Sequence, residues 1–106
     1  MKTLLLTALF VSSSAFAMEL KCEAKHNAET VLSNSICLKD KAVIGEVEGF
    51  RFMANAKSQN IVELEAYNSY EPSRTYATGS LDKAGAFVDL AIWKREFLME
   101  VRCTRL

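Results

Sequence analysis

Short runs in which apolar and polar residues alternate recur along the chain, and this period of two is typical of β-strands with one buried face. In the run IVELEAY, residues 61–67, the side chains of Val62, Leu64 and Ala66 share one face. Residues 50–54, FRFMA, repeat the alternation. Polar stretches separate the runs at the spacing common in sandwiches and barrels. The pattern predicts an all-β fold, a small antiparallel sandwich or partly open barrel of about seven strands.

Two segments leave a short helix open as the alternative, which would make the fold α+β. Residues 27–34, NAETVLSN, begin with a residue type that caps helices. Residues 81–93, LDKAGAFVDLAIW, also match the spacing of an amphipathic helix. Gly85 would weaken that helix by about 1 kcal/mol, so a strand that ends near Trp93 is preferred. The indole of Trp93 is expected to pack in the core.

The first 17 residues have the three parts of a signal peptide. Lys2 supplies a positive charge, residues 4–11 form an apolar run, and the triplet Ala-Phe-Ala at 15–17 is a cleavage signal. The apolar run is too short to cross a bilayer, which needs about 20 residues. We therefore expect a leader at 1–17 and a single small exported domain at 18–106. This domain would be periplasmic or extracellular, without a stable membrane anchor.

Three cysteines follow the leader, at positions 22, 37 and 103. An exported chain can form disulfides, and an odd count leaves one thiol over. Cys22 and Cys103 are in phase with apolar neighbours, whereas Cys37 is in phase with Ser35 and Lys39. We therefore predict a bridge between Cys22 and Cys103, with Cys22 to Cys37 as the second choice. Cys37 is then a free or intermolecular thiol, and the protein is a monomer or a disulfide-linked dimer.

Charge and motif content argue against several function classes. Without the leader, acidic side chains outnumber basic ones by one, which does not favour a nucleic-acid partner. The cysteines lack metal-ligand spacing and no nucleotide-binding loop occurs, so no metal or cofactor is expected. The single histidine, His26, has no partners at triad spacing, so the chain is predicted not to be an enzyme. The alternative is a small thiol-dependent enzyme or redox protein that uses Cys37, with His26 or a neighbouring carboxylate as base.

One stretch has the composition of a binding surface. All three tyrosines, Tyr67, Tyr70 and Tyr76, lie within ten residues of one another, around Pro72 and Arg74. Tyrosine and arginine dominate binding hot spots, because they combine a large contact area with a polar tip. The sequence therefore predicts an exported, non-catalytic domain that binds a protein or glycan partner through the loop from Tyr67 to Tyr76.

In size, compartment and terminal crosslink the chain resembles small exported β-barrel lysozyme inhibitors. Those families carry a loop of the type Ser-Gly-x-x-Tyr, and the nearest stretch here, SRTY at 73–76, lacks the glycine. The resemblance is therefore general and assigns no family. What it implies for function is a further alternative, inhibition of an exported hydrolase.

Overall fold

A computed structural model describes residues 17–106, which fold into eight strands arranged as two four-stranded antiparallel sheets. The predicted leader, apart from its last residue, lies outside the described residues. Sheet A has the strand order β2-β1-β8-β7, and sheet B has the order β3-β4-β5-β6. The strands are β1 (Met18–His26), β2 (Glu29–Leu38), β3 (Lys41–Val47), β4 (Phe50–Ala56), β5 (Ile61–Asn68), β6 (Ser73–Ser80), β7 (Phe87–Lys94) and β8 (Phe97–Arg105).

The chain reverses direction between successive strands, so every second connection lies at the same end of the two sheets. The connections at 27–28, 48–49, 69–72 and 95–96 form one group, which we call the turn end. The pairing of β1 with β8 joins the beginning of the described chain to its end. The fold is therefore an antiparallel sandwich, as the alternation predicted, with eight strands where about seven were expected.

The helices considered for residues 27–34 and 81–93 are absent from the described part of the chain, and that alternative is wrong. Asn27 and Ala28 have φ values of 51° and 72°, which are typical of the tight two-residue turn of a hairpin. That turn pairs β2 with β1, and β2 is an edge strand of sheet A. In the second segment, residues 87–93 belong to β7, and only residues 81–86 lie outside strands.

The core lies between the two sheets and follows the alternation of each strand. Phe52, Leu64 and Met99 are fully buried there, together with Cys22 and Cys103 of sheet A. Polar residues of the same strands point outward, which gives each sheet an outer face with its own composition. The buried apolar residues are Met18, Leu20, Cys22, Ala24, Leu38, Ile44, Phe50, Phe52, Ala54, Val62, Leu64, Ala66, Leu81, Val88, Leu90, Met99, Val101 and Cys103.

Close contacts join the edge strands of the two sheets at two seams, β2 with β3 and β6 with β7. At one seam, the Asn34 side-chain amide on β2 donates a hydrogen bond of 2.8 Å to the Ile44 carbonyl on β3. At the other seam, a Cβ atom added to Gly79 would lie 2.9 Å from the Cβ of Val88. Gly79 therefore allows β6 to approach β7 more closely than a larger residue would.

The predicted bridge between Cys22 and Cys103 is confirmed. The two residues are directly opposite in the register of β1 and β8, with their Cα atoms 4.0 Å apart. Both side chains are fully buried, so the bridge crosses the centre of sheet A on its inner face. The second choice, Cys22 with Cys37, is wrong, because Cys37 is a free, exposed cysteine.

We expect the double substitution Cys22→Ala with Cys103→Ala to lower the free energy of unfolding by about 4 kcal/mol. The bridge joins residues 81 positions apart, and crosslinks across long loops restrict the unfolded chain most. Urea unfolding of the wild type and the variant measures the difference. Cys37→Ser is the control and should change stability by less than about 0.5 kcal/mol, because its side chain is exposed. Equal stability of the double variant and wild type would contradict the expectation.

Two exposed alanines provide a second stability test, because their substitution by glycine is expected to change the stability in opposite directions. Ala28 has a left-handed backbone, which costs a residue with a Cβ roughly 1 kcal/mol, so Ala28→Gly should stabilise the protein by about 0.5–1 kcal/mol. Ala91 lies in the regular strand β7, where glycine is unfavourable, so Ala91→Gly should destabilise it by about the same amount. Thermal unfolding of both variants checks this. Midpoints that moved in the same direction would contradict the assignment of strain to Ala28.

Candidate functional site

The hairpin of β5 and β6 brings three of the four predicted binding residues onto one surface. Tyr67 is directly opposite Arg74 in the register of the two strands, and Tyr76 is opposite Glu65. These four side chains, of which Glu65 was not among the predicted residues, belong to the outer face of sheet B. The residues between them, such as Ala66, point into the core. The alternation of a strand therefore gathers side chains that are up to eleven positions apart in the sequence.

Arg74 is held in place from two sides. Its guanidinium carbon lies 4.8 Å from the centre of the Tyr67 ring, and its Nη1 donates a hydrogen bond of 2.5 Å to Oε2 of Glu65. Glu65 is only 7% exposed although it belongs to an outer face, so Arg74 and the neighbouring side chains cover it. A buried carboxylate paired in this way fixes the guanidinium and leaves its other donors available.

The neighbouring strand β4 extends this surface. Arg51 is opposite Tyr67, and Met53 is opposite Glu65, so both belong to the same outer face. Arg51 also forms an ion pair with Glu46, with 3.6 Å between Nε and Oε2, and both groups are exposed. We define the tyrosine face by the side chains of Arg51, Met53, Glu65, Tyr67, Arg74 and Tyr76. The sequence reasoning missed Arg51, Met53 and Glu65, although each occupies an outward position in an alternating run and could have been identified from that position.

Tyr70 is placed differently, at the tip of the same hairpin. Its backbone N–H donates a hydrogen bond of 3.0 Å to the Asn68 side-chain oxygen, and this shapes the turn. The Tyr70 ring lies against Gly49, where a Cβ atom would clash with it, and is 78% exposed. The N–H of Ser69 donates a 3.0 Å hydrogen bond to the Gly49 carbonyl. The tip is therefore tied to the neighbouring hairpin, with one tyrosine ring presented to solvent.

The structure does not bring Cys37 and His26 together. Cys37 is paired with Glu19 at one end of β1, whereas His26 is at the other end, seven residues and about 23 Å along the strand. The imidazole of His26 packs near the ring of Phe97, with 4.9 Å between ring centres. Of the two bases considered for a reactive thiol, only a carboxylate is near Cys37. Among residues 17–106, no group of three or more potential metal ligands comes together.

The expectation that Trp93 packs in the core is wrong, because Trp93 is 77% exposed. The inward residues of β7 are Val88 and Leu90, which are buried, and Ile92, which is half-buried. Trp93 has the opposite parity and therefore belongs to the outer face of sheet A. The alternation in residues 87–93 already contained this information.

Comparisons with known proteins give no relative for this chain: no family model, no curated protein and no solved structure matches it. The site is therefore interpreted from its own geometry. The part of the chain that the structure describes contains no helix long and apolar enough to cross a membrane.

An exposed ion pair connects the tip of the β5–β6 hairpin to β7. The Lys94 ammonium donates a hydrogen bond of 2.5 Å to the Glu71 carboxylate, and this bond, together with the positive charge, lowers the pKa of Glu71 below its ordinary value of 4.5. The carboxylate form is thus favoured in the folded protein. The small contribution of this pair to stability is present above about pH 4.5 and is lost as the pH falls through the pKa of the folded state.

We expect an NMR titration to place the pKa of Glu71 below 4.5 in the wild type and close to 4.5 in the variant Lys94→Met. Added salt should raise the wild-type pKa toward the same value, because both groups are exposed and screened. Lys57→Met is a suitable control, since Lys57 approaches Glu63 and not Glu71. A Glu71 pKa that is the same in wild type and Lys94→Met would show that the ion pair does not form in solution.

Proposed function

We propose that the protein is an exported, non-catalytic binding domain that holds a protein partner on the tyrosine face. The observation that carries this proposal is the fixed guanidinium of Arg74, stacked on the Tyr67 ring and paired with the buried carboxylate of Glu65. Such an arrangement presents a planar donor group whose position is set before any partner arrives. Little rotamer freedom is then lost on binding, which favours affinity.

The composition of the tyrosine face supports a protein partner. Tyrosine, methionine and arginine are enriched in protein interfaces, whereas lysine and glutamate are depleted at their centres. The face contains Tyr67, Tyr76 and Met53, and Tyr76 is 52% exposed. The outer residues of β1, on the opposite sheet, alternate between glutamate and lysine instead. This contrast distinguishes the tyrosine face from an ordinary solvated sheet surface.

The tip of the hairpin supplies additional contact area. A stable interface buries roughly 800 Å² on each partner. The six side chains of the tyrosine face, on three strands, are expected to provide less than this area. Tyr70 extends the surface beyond the strand ends, and it is 78% exposed. The separation of Cys37 from His26 counts against His26 as the base of the thiol-dependent alternative, which leaves that alternative only a carboxylate.

The test is capture of partners from periplasm or culture medium with a crosslinker placed at Thr78, next to the face. Tyr76→Ala should reduce the yield of any specific partner at least about tenfold, because truncation of a central aromatic residue costs roughly 2 kcal/mol. Lys21→Ala, on the outer face of sheet A, is the matched control and should leave the yield unchanged. If Tyr76→Ala captured every partner as well as the wild type, the proposal would be abandoned.

Arg74 needs a paired substitution, because its removal alone would confuse binding with folding. Arg74→Ala leaves the buried Glu65 carboxylate without its ion partner, which destabilises a protein. The double variant Arg74→Gln with Glu65→Gln removes both charges and should remain folded by circular dichroism while losing the partner. A partner that binds this double variant at wild-type strength would show that the guanidinium is not part of the interface.

A further inference from the structure

We propose a second binding site on the outer face of sheet A, where Trp93 and an adjacent depression accept a ring of a neutral glycan. This site lies on the opposite sheet from the tyrosine face and does not depend on the function proposed above. Its ligand class follows from three observations: an exposed indole, a small polar depression near it, and a set of charged side chains whose positive and negative charges nearly balance.

Trp93 is the only tryptophan of the chain, and its side chain is 77% exposed. Trp93 is not part of the core, because the inward positions of β7 are filled by Val88, Leu90 and Ile92. An indole carries a large apolar area with a single N–H donor, so a ligand that covers its face recovers favourable burial. Trp93 is at the end of β7, next to the turn at 95–96, where a flat ligand can approach it.

A depression of about 270 Å³ lies on the same face; Ala91 and the rows of β1 and β8 beside it form its lining, and Trp93 is one row further along β7. The small side chain of Ala91 belongs to its lining and is two residues from Trp93, a distance of about 7 Å along the strand. Lys25 and Glu100 are in the same row of the sheet as Ala91. The volume is slightly below the roughly 300–1,000 Å³ of sites for drug-sized ligands, which suits a single ring.

The next row of side chains, on the far side of the depression from Ala91, is fixed by contacts among its members. Arg102 lies between Glu23 and Asp89 in the register of the sheet, and its Nη2 is 2.9 Å from Oδ2 of Asp89. The guanidinium carbon of Arg102 also lies 3.9 Å from the centre of the exposed Phe87 ring. The arginine donors and the aspartate acceptor are therefore presented in a defined geometry.

The charges around the depression favour a neutral polyhydroxylated ligand. Three carboxylates, those of Glu23, Asp89 and Glu100, face two cations, those of Lys25 and Arg102. The carboxylates disfavour a phosphate or sulfate group, and the cations disfavour a basic peptide. A hydroxyl group both donates and accepts hydrogen bonds, so it can use neighbouring donors and acceptors together. A sugar ring has hydroxyl groups at its edge and an apolar C–H face that can cover the indole.

The single tryptophan makes the test direct, because all of the tryptophan fluorescence of the protein comes from Trp93. The full exported chain is titrated with maltohexaose, cellohexaose and chitohexaose, three neutral oligosaccharides of different linkage. Binding at this site should shift the emission to shorter wavelength and saturate, as the indole leaves water. No change with any of the three oligosaccharides would overturn the proposal, as would a response confined to the anionic polymer polygalacturonate.

Two variants separate this site from any other. Trp93→Ala should weaken binding at least about tenfold, measured by retardation in gels that contain the responsive glycan. Ala91→Leu fills the depression while it leaves the indole in place, and should abolish the fluorescence change. Tyr76→Ala, on the tyrosine face, is the control and should bind the glycan like the wild type. Full binding by Ala91→Leu, or loss of binding in Tyr76→Ala, would overturn the location; neither result would affect the protein partner proposed for sheet B.

Discussion

The disulfide between Cys22 and Cys103 is the constraint on which the rest of the structure depends. It joins strands at the two ends of the described chain, and no other crosslink exists between residues 17 and 106. A domain of about 90 residues buries too little surface to be very stable, so a crosslink across most of its length is a large part of its stability. Both sulfur atoms are buried at the centre of sheet A. The pairing of β1 with β8, and with it the outer face that contains Arg102, is fixed by this bond.

The two outer faces follow from the same alternation that forms the core, yet they differ in chemistry. On sheet B, the pair of Arg74 with the buried Glu65 presents fixed donors beside aromatic rings. On sheet A, Arg102 is fixed instead by the exposed Asp89 and Phe87, in a row of alternating charges. Burial explains the difference, because the carboxylate that fixes Arg74 is covered, whereas the carboxylate that fixes Arg102 is open to solvent.

The sequence was sufficient to predict the all-β fold and the bridge, because both depend on a period of two that short strands show clearly. It was not sufficient for β2, an edge strand whose inward row of Leu32, Ile36 and Leu38 is interrupted by polar residues. Only the turn at Ala28 reveals the hairpin. The tyrosines were found by their clustering, whereas Arg51 comes from a strand distant in sequence and is brought beside Tyr67 only by pairing. The exposure of Trp93 could have been predicted, because its parity is opposite to that of the buried residues of β7.

The two faces meet at the turn end, and the strength of that connection decides how far they influence each other. Tyr70, at the tip of the β5–β6 hairpin, is followed by Glu71, and Trp93 is followed by Lys94, so the ion pair of Glu71 with Lys94 joins the two regions. Both groups are largely exposed, and exposed ion pairs contribute little and are screened by salt. A ligand at one proposed site is therefore expected to change the affinity of the other proposed site by only a small free energy. The two proposed sites, on opposite faces of the sandwich, are therefore expected to act independently rather than to transmit a signal between them.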